Sequence, residues 1–278
     1  GLTIHASDIA QTTASYELVS KMRASFWVIG PLLARCGQAR VSLPGGCAIG
    51  TRPVNLYLQG LKEMGAEIDV ADGYVNAKAT SPSGRLTGTQ INFPFVSVGA
   101  THVMMMAASL ADGQTIINNA ASEPEIMDVG RCLQAMGAQI EGLGTRTLII
   151  DGVQKLNGAT HTVTRDRIEA GAYACAVVAS NGEVTLTGAD KALLGALAPV
   201  LQQAGATFES KPDGLLVKGT SDIRPVNVVT EPYPGFATDL QAPFMGLMCV
   251  ANGVSHVRET IFENRFMHVQ ELARLGAD

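Results

Sequence analysis

Residues 60–73, GLKEMGAEIDVADG, close a helix and open a hairpin in a single run. Leu61 and Met64 stand at helical spacing up to Gly65, a residue suited to the left-handed conformation that ends a helix. Beyond it the pattern alternates, and Asp72-Gly73 is a pair that two-residue hairpin turns favour. The ending recurs as CLQAMGAQI at 132–140, VLQQAGATF at 200–208 and ELARLGAD at 271–278. Gly-Ala pairs roughly 70 residues apart mark a repeated supersecondary unit.

Ahead of each capped helix the sequence predicts a second, more apolar one: RASFWVIGPLLARCG (23–37), GATHVMMMAASLADG (99–113), EAGAYACAVVASNG (169–182) and DLQAPFMGLMCVANG (239–253). Short strands should follow these helices, ARVSLP, QTIINNA, EVTLTGA and SHVRETIF. Others should precede three of them, TQINFPF (89–95), THTVTR (160–165) and PVNVVT (225–230). The unit is then βαβαββ. Met104, Met105 and Met106 read as core filling. GLTIHASD (1–8) resembles the closing half of a hairpin, and RLGAD (274–278) stops where another should begin, so truncation at both ends is expected.

With 278 residues, 46% hydrophobic and 16% charged, the chain has enough length for two lobes with separate cores. No apolar run reaches membrane-spanning length and no signal peptide opens the sequence, so a cytoplasmic location is expected. The net charge of −5 gives no electrostatic reason to bind nucleic acid or an anionic membrane. Five cysteines without a CxxC pair argue against a disulfide framework or a zinc site. Cys175 and Cys249 lie in apolar runs and are expected in the core. Cys47 differs, because SLPGGCAIGTRP (42–53) places it among glycines with Arg52 nearby, a setting that favours a thiolate on a movable loop.

SLPGGCAIGTRPVNL, VSVGAT, EPEIMD, DRIEAG, TDLQA and IFENRFMH, in this order, resemble the UDP-N-acetylglucosamine 1-carboxyvinyltransferases, enolpyruvyl transferases of peptidoglycan synthesis. The resemblance covers essentially the whole chain. It implies an α/β (α+β) two-lobed fold of repeated βαβαββ units, an inside-out α/β barrel, with the active site between the lobes. Residues 1–156 would supply most of the first lobe and 157–278 part of the second. The implied reaction moves the enolpyruvyl group of phosphoenolpyruvate to the 3'-hydroxyl of UDP-N-acetylglucosamine and releases phosphate. No cofactor or metal is implied.

By the same resemblance Cys47 is the proton donor, Asp239 the candidate base and Arg52 a cation of the catalytic site. Substrate contacts would come from Arg23, from Arg52, Pro53, Val54, Asn55 and Leu56, from Ser97, Val98 and Gly99, and from Asp239, Ile261 and Arg265. Glu123, Glu125, Asp166 and Arg167 also match, with helix capping or ion pairing as equal readings. Phe95 stands where many members carry lysine, and Asn55 where aspartate is usual. The family's N-terminal Lys-Asn pair and late Asp and Arg have no counterpart in this sequence. Of the rival readings, a shikimate 3-phosphate enolpyruvyl transferase lacks a glycine-flanked loop cysteine like Cys47, and the acidic balance disfavours an RNA 3'-phosphate cyclase, while a fragment that binds a UDP-sugar without turnover stays open.

Overall fold

Leu61, Met64 and Ala66 are buried around the first of the glycine-closed helix ends. The structure, a computed structural model, describes residues 1–44 and 54–278. The described residues form two compact units that meet in sequence at Thr162 and Val163.

In the first unit β1 (Thr13–Ala14), α1 (Tyr16–Val19), a 3₁₀ turn (Arg23–Val28) and α2 (Ile29–Cys36) lead to β2 (Gln38–Ser42). α3 (Asn55–Glu63) then precedes the hairpin β3 (Ala66–Ala71) and β4 (Tyr74–Ala79). The same succession returns as β5 (Gln90–Asn92), α4 (Val98–Ala108), β6 (Gln114–Asn118), α5 (Pro124–Ala135), β7 (Gln139–Glu141) and β8 (Thr147–Asp151). Sheet orders β1-β2-β4-β3 and β5-β6-β8-β7 are the same arrangement. In each, the first two strands are parallel and the other pairings antiparallel.

The helix ends behave as the repeat predicts. Gly65, Gly137, Gly205 and Gly276 adopt φ of 84°, 103°, 112° and 96°. At the last three, the N–H after the glycine returns to the carbonyl five residues back: Ala138 to Leu133, Ala206 to Leu201 and Ala277 to Leu272, at 2.9–3.1 Å. That is a Schellman closure, which satisfies carbonyls a helix end otherwise leaves open. Asp72 and Gly73 both take positive φ, 51° and 76°, as a type I′ turn requires.

α4 is apolar on every side and lies in the middle of the first core, with Met104 and Met105 fully buried and Met106 half-buried. Its neighbours carry glycine where they meet it. A Cβ on Gly30 of α2 would lie 2.7 Å from the Val103 carbonyl oxygen, and one on Gly60 of α3 would lie 2.5 Å from the Met104 sulfur.

The second unit contains α6 (Arg167–Ala179), β9 (Glu183–Thr187), α7 (Leu197–Ala204), β10 (Thr207–Lys211) and β11 (Gly214–Lys218), with sheet order β10-β11-β9. A two-stranded parallel pair follows, β12 (Val228–Val229) and β13 (Val257–Arg258). Between these strands lie the 3₁₀ turn Thr238–Leu240 and α8 (Gln241–Met248), and α9 (His268–Arg274) comes last.

Three expectations need correction. Residues 160–165 form no strand, and among the described residues the β9 sheet has three strands where the first unit's sheets have four. Alternation suited to a strand persists only where an edge accepts it. Residues 1–8 likewise form no strand. Cys249 is exposed, because it lies just past α8 as its C-cap while Leu247 and Met248 turn into the core. Cys175 is buried as expected. No helix among the described residues is long and apolar enough to cross a membrane.

Candidate functional site

The candidate residues of the first unit gather at the start of α4. Ser97 caps this helix, its Oγ accepting the Ala100 N–H at 3.3 Å. Val98 and Gly99 form the first turn, where backbone N–H groups and the helix dipole favour an anion. Glycine at 99 lets two side chains approach closely: a Cβ there would lie 2.1 Å from Tyr57 Oη and 3.0 Å from Trp27 Nε1.

Those two aromatic groups tie the other candidates to the same place. Tyr57 lies one turn into α3, whose N-cap is Val54 and whose first residues are Asn55 and Leu56. Trp27 belongs to the turn that Arg23 opens. Arg23, Phe26, Trp27, Pro44, Val54 and Tyr57 line a shallow cleft. Arg23, Val54 and Gly99 are thus brought together, while Asn55 is exposed and Leu56 half-buried. Phe95 is 59% exposed.

His102 backs this cleft. Its ring stacks on Trp27 at 4.6 Å and 15°, and Nδ1 lies 3.0 Å from the Val98 carbonyl oxygen. Burial pushes its pKa below the ordinary histidine value, against the opposing effects of the Val98 backbone and of Glu125. Glu123 stands at the N-cap position of α5 with Oε2 buried and without a hydrogen-bond partner among the described residues. Glu125 lies in that helix's first turn.

In the second unit Arg265 Nη2 donates to Asp239 Oδ1 at 2.6 Å. The arginine side chain is 13% exposed and the aspartate 54%, so the cation is covered and the carboxylate open. Phe262 stacks beneath the guanidinium at 5.6 Å. His268 has its pKa lowered by burial first and then by the Arg265 charge. The N–H of Ile261 donates to Glu259 Oε1 at 2.8 Å. Asp166 caps α6, accepting from the Ile168 and Glu169 N–H groups at 2.8 and 3.0 Å. Arg167 lies over the Tyr233 ring at 5.7 Å.

Cys47, Arg52 and Pro53 lie outside the described residues. Trp27, Tyr57, His102 and Glu259 escaped the sequence reading. An apolar helical pattern makes the first two read as core, and nothing local ties Glu259 to partners some twenty to thirty residues away. No group of three or more acidic, histidine or cysteine side chains suited to a metal occurs among the described residues.

The sequence matches the family described as EPSP synthase (3-phosphoshikimate 1-carboxyvinyltransferase) over residues 2–278. The chain belongs to the EPSP synthase family. Within it, the curated relatives include UDP-N-acetylglucosamine 1-carboxyvinyltransferases of Allorhizobium ampelinum and Rhizobium johnstonii, both 62% identical, and of Rhizobium meliloti, 59% identical. Each alignment covers 99% of this chain and 64% of the relative, so the chain spans under two thirds of their length. These matches bear out the resemblance carried by the motifs.

Among solved structures, the enolpyruvyl transferase NikO from Streptomyces tendae matches with TM-score 0.80 at 24% identity, over 96% of this chain and 63% of that one. EPSP synthase from Acinetobacter baumannii matches with TM-score 0.57 at 18% identity, over 84% of this chain and 54% of its own. At such identities the likeness concerns fold, and it supports the α/β enolpyruvyl transferase architecture expected for this EPSP synthase family chain.

Proposed function

We propose that the protein carrying this chain transfers the enolpyruvyl group of phosphoenolpyruvate to the 3'-hydroxyl of UDP-N-acetylglucosamine, releasing phosphate, as a cytoplasmic step of peptidoglycan synthesis. The observation that carries this reading is the 62% identity, over 99% of the chain, to relatives named for that activity. In this reading residues up to about 156 supply most of one lobe and the remainder part of a second.

The chemistry divides into addition and elimination. A base takes the hydroxyl proton as the oxygen bonds to the substituted carbon of phosphoenolpyruvate, and an acid delivers a proton to its methylene carbon. Loss of phosphate and of a methyl proton from the tetrahedral adduct then restores the double bond. Asp239 is the base: Arg265 occupies Oδ1, and the open carboxylate leaves room for a hydroxyl. Cys47 is the acid, and Arg52 offsets phosphate charge. Arg23, the Arg52 to Leu56 segment and the Ser97 to Gly99 helix start hold the UDP-sugar, and Ile261 contacts it.

Isothermal titration of the full gene product with UDP-N-acetylglucosamine tests the binding half. Arg23→Ala removes a charge-assisted hydrogen bond and should weaken affinity by roughly 10- to 150-fold, equivalent to about 1.5–3 kcal/mol. Unchanged affinity would refute the role of Arg23.

A further inference from the structure

Glu259 joins three segments through one carboxylate. Oε1 accepts the Thr230 hydroxyl at 2.9 Å and the N–H groups of Ile261 and Phe262 at 2.8 and 3.1 Å. Oε2 accepts the Thr238 hydroxyl at 2.9 Å. Thr230 is fully buried at the end of β12, and its hydroxyl in turn accepts the Thr260 N–H at 2.9 Å, while Thr260 Oγ1 donates to the Thr230 carbonyl. The Thr230 N–H donates to the Arg258 carbonyl at 2.9 Å, so the β12–β13 pairing continues into this cluster.

The tethered segments are those that carry Asp239, the candidate base, and Arg265, which binds it. Thr238 immediately precedes Asp239 in the 3₁₀ turn. Ile261 and Phe262 begin the stretch that leads to Arg265, whose guanidinium stacks on Phe262 and binds Asp239. Charge-assisted hydrogen bonds are shorter and roughly twice as strong as neutral ones, and a carboxylate accepting four of them fixes its partners' mutual positions.

We propose that Glu259 is a positioning residue for catalysis: its carboxylate pins the Asp239 turn to the Ile261–Arg265 stretch and so fixes where the Asp239 oxygens stand. This rests on the reading of Asp239 as the base. Glu259 itself donates and accepts no proton in the reaction. Its effect on rate passes through Asp239.

Steady-state kinetics of the full gene product, with phosphoenolpyruvate and UDP-N-acetylglucosamine, separate this role from a general structural one. Asp239→Asn should lower kcat by about 10²- to 10⁴-fold, the usual worth of a general base. If it leaves kcat unchanged, the reading of Asp239 fails, and the role of Glu259 with it. With that drop in hand, Glu259→Ala alone should lower kcat about ten-fold or more while the KM for UDP-N-acetylglucosamine stays within about three-fold. Glu259→Gln, which keeps shape and an acceptor oxygen, should recover most of the rate. In the Asp239→Asn background Glu259→Ala should cost less than about two-fold more, because residues that act as a unit are strongly non-additive. A full ten-fold loss in that background, or no loss in the parent, overturns the proposal while leaving the base assignment standing. Should Glu259→Ala fail to fold, Thr238→Val removes only the link to the Asp239 turn. It should lower kcat several-fold, and an unchanged rate overturns the proposal equally.

Discussion

Trp27 is the chain's single tryptophan, and its stacking on buried His102 makes it a reporter for one titrating group. Burial holds the imidazole neutral, so its folded pKa lies below the ordinary 6.5. Below that value the unfolded chain takes up a proton that the folded chain does not. Stability from this site is therefore full above about pH 6.5 and is lost as the pH falls toward the folded pKa. Denaturant unfolding followed by Trp27 emission should show this loss, and His102→Gln should flatten it. An identical pH slope in both proteins contradicts the assignment. The thiols give a second prediction. Burial pushes Cys175 up to about 12, so it should resist alkylation in the native protein, whereas exposed Cys249 should label more readily. By its resemblance to a loop cysteine that the epoxide antibiotic fosfomycin alkylates, Cys47 should react with that reagent ahead of the other four. Peptide mass mapping after brief treatment reads the order, and labelling of Cys175 before Cys47 is the opposing result.

At the scale of elements, the close approach of α2 to α4 is set by Gly30. A methyl there meets the Val103 backbone oxygen at 2.7 Å, which no side-chain rotation relieves. Gly30→Ala should cost about 1–3 kcal/mol, as overpacking does elsewhere, and lower the denaturation midpoint accordingly. An unchanged midpoint means that the helices separate freely. Such elements were legible where the signal is local. Gly65, Gly137, Gly205 and Gly276 each close a helix because the left-handed cap needs only the glycine and the turn before it. Asp72-Gly73 forms the turn its sequence favours, whereas in PDG (212–214) the two-residue turn is Pro212-Asp213, and Gly214 pairs with Lys211 within the ladder. Strand edges were less legible. Thr13–Ala14 pairs with β2 with no alternation long enough to notice, while the alternating run at 160–165 forms no strand. Pairing is a property of two segments, and one segment's pattern states only half of it. The candidate site divides in the same way. Asp239, Arg265 and Ser97 could be named from motifs, and the structure adds how each is held. The Glu259 cluster could not be named, since two of its four hydrogen bonds reach Thr230 and Thr238, 29 and 21 residues away.

For the whole molecule, the repeat determines the architecture, and in the proposed reading residues at the repeat's helix starts carry the chemistry. The first unit builds its sheet arrangement twice from the same βαβαββ succession, and the second unit repeats the antiparallel part, with one strand fewer among the described residues. The family match covers residues 2–278, so the same scaffold serves acceptors as different as a shikimate phosphate and a nucleotide sugar, and the side chains must decide between them. In the proposed reading Arg23 and the α4 start hold the diphosphate of a UDP-sugar, an anion that a helix N-terminus and a guanidinium both favour. The direct test is phosphate release by the full gene product from phosphoenolpyruvate, with UDP-N-acetylglucosamine and shikimate 3-phosphate offered as acceptors in parallel reactions. The account predicts stoichiometric phosphate release with UDP-N-acetylglucosamine, accompanied by a product heavier by one enolpyruvyl group, and none with shikimate 3-phosphate. Release with shikimate 3-phosphate alone would contradict it.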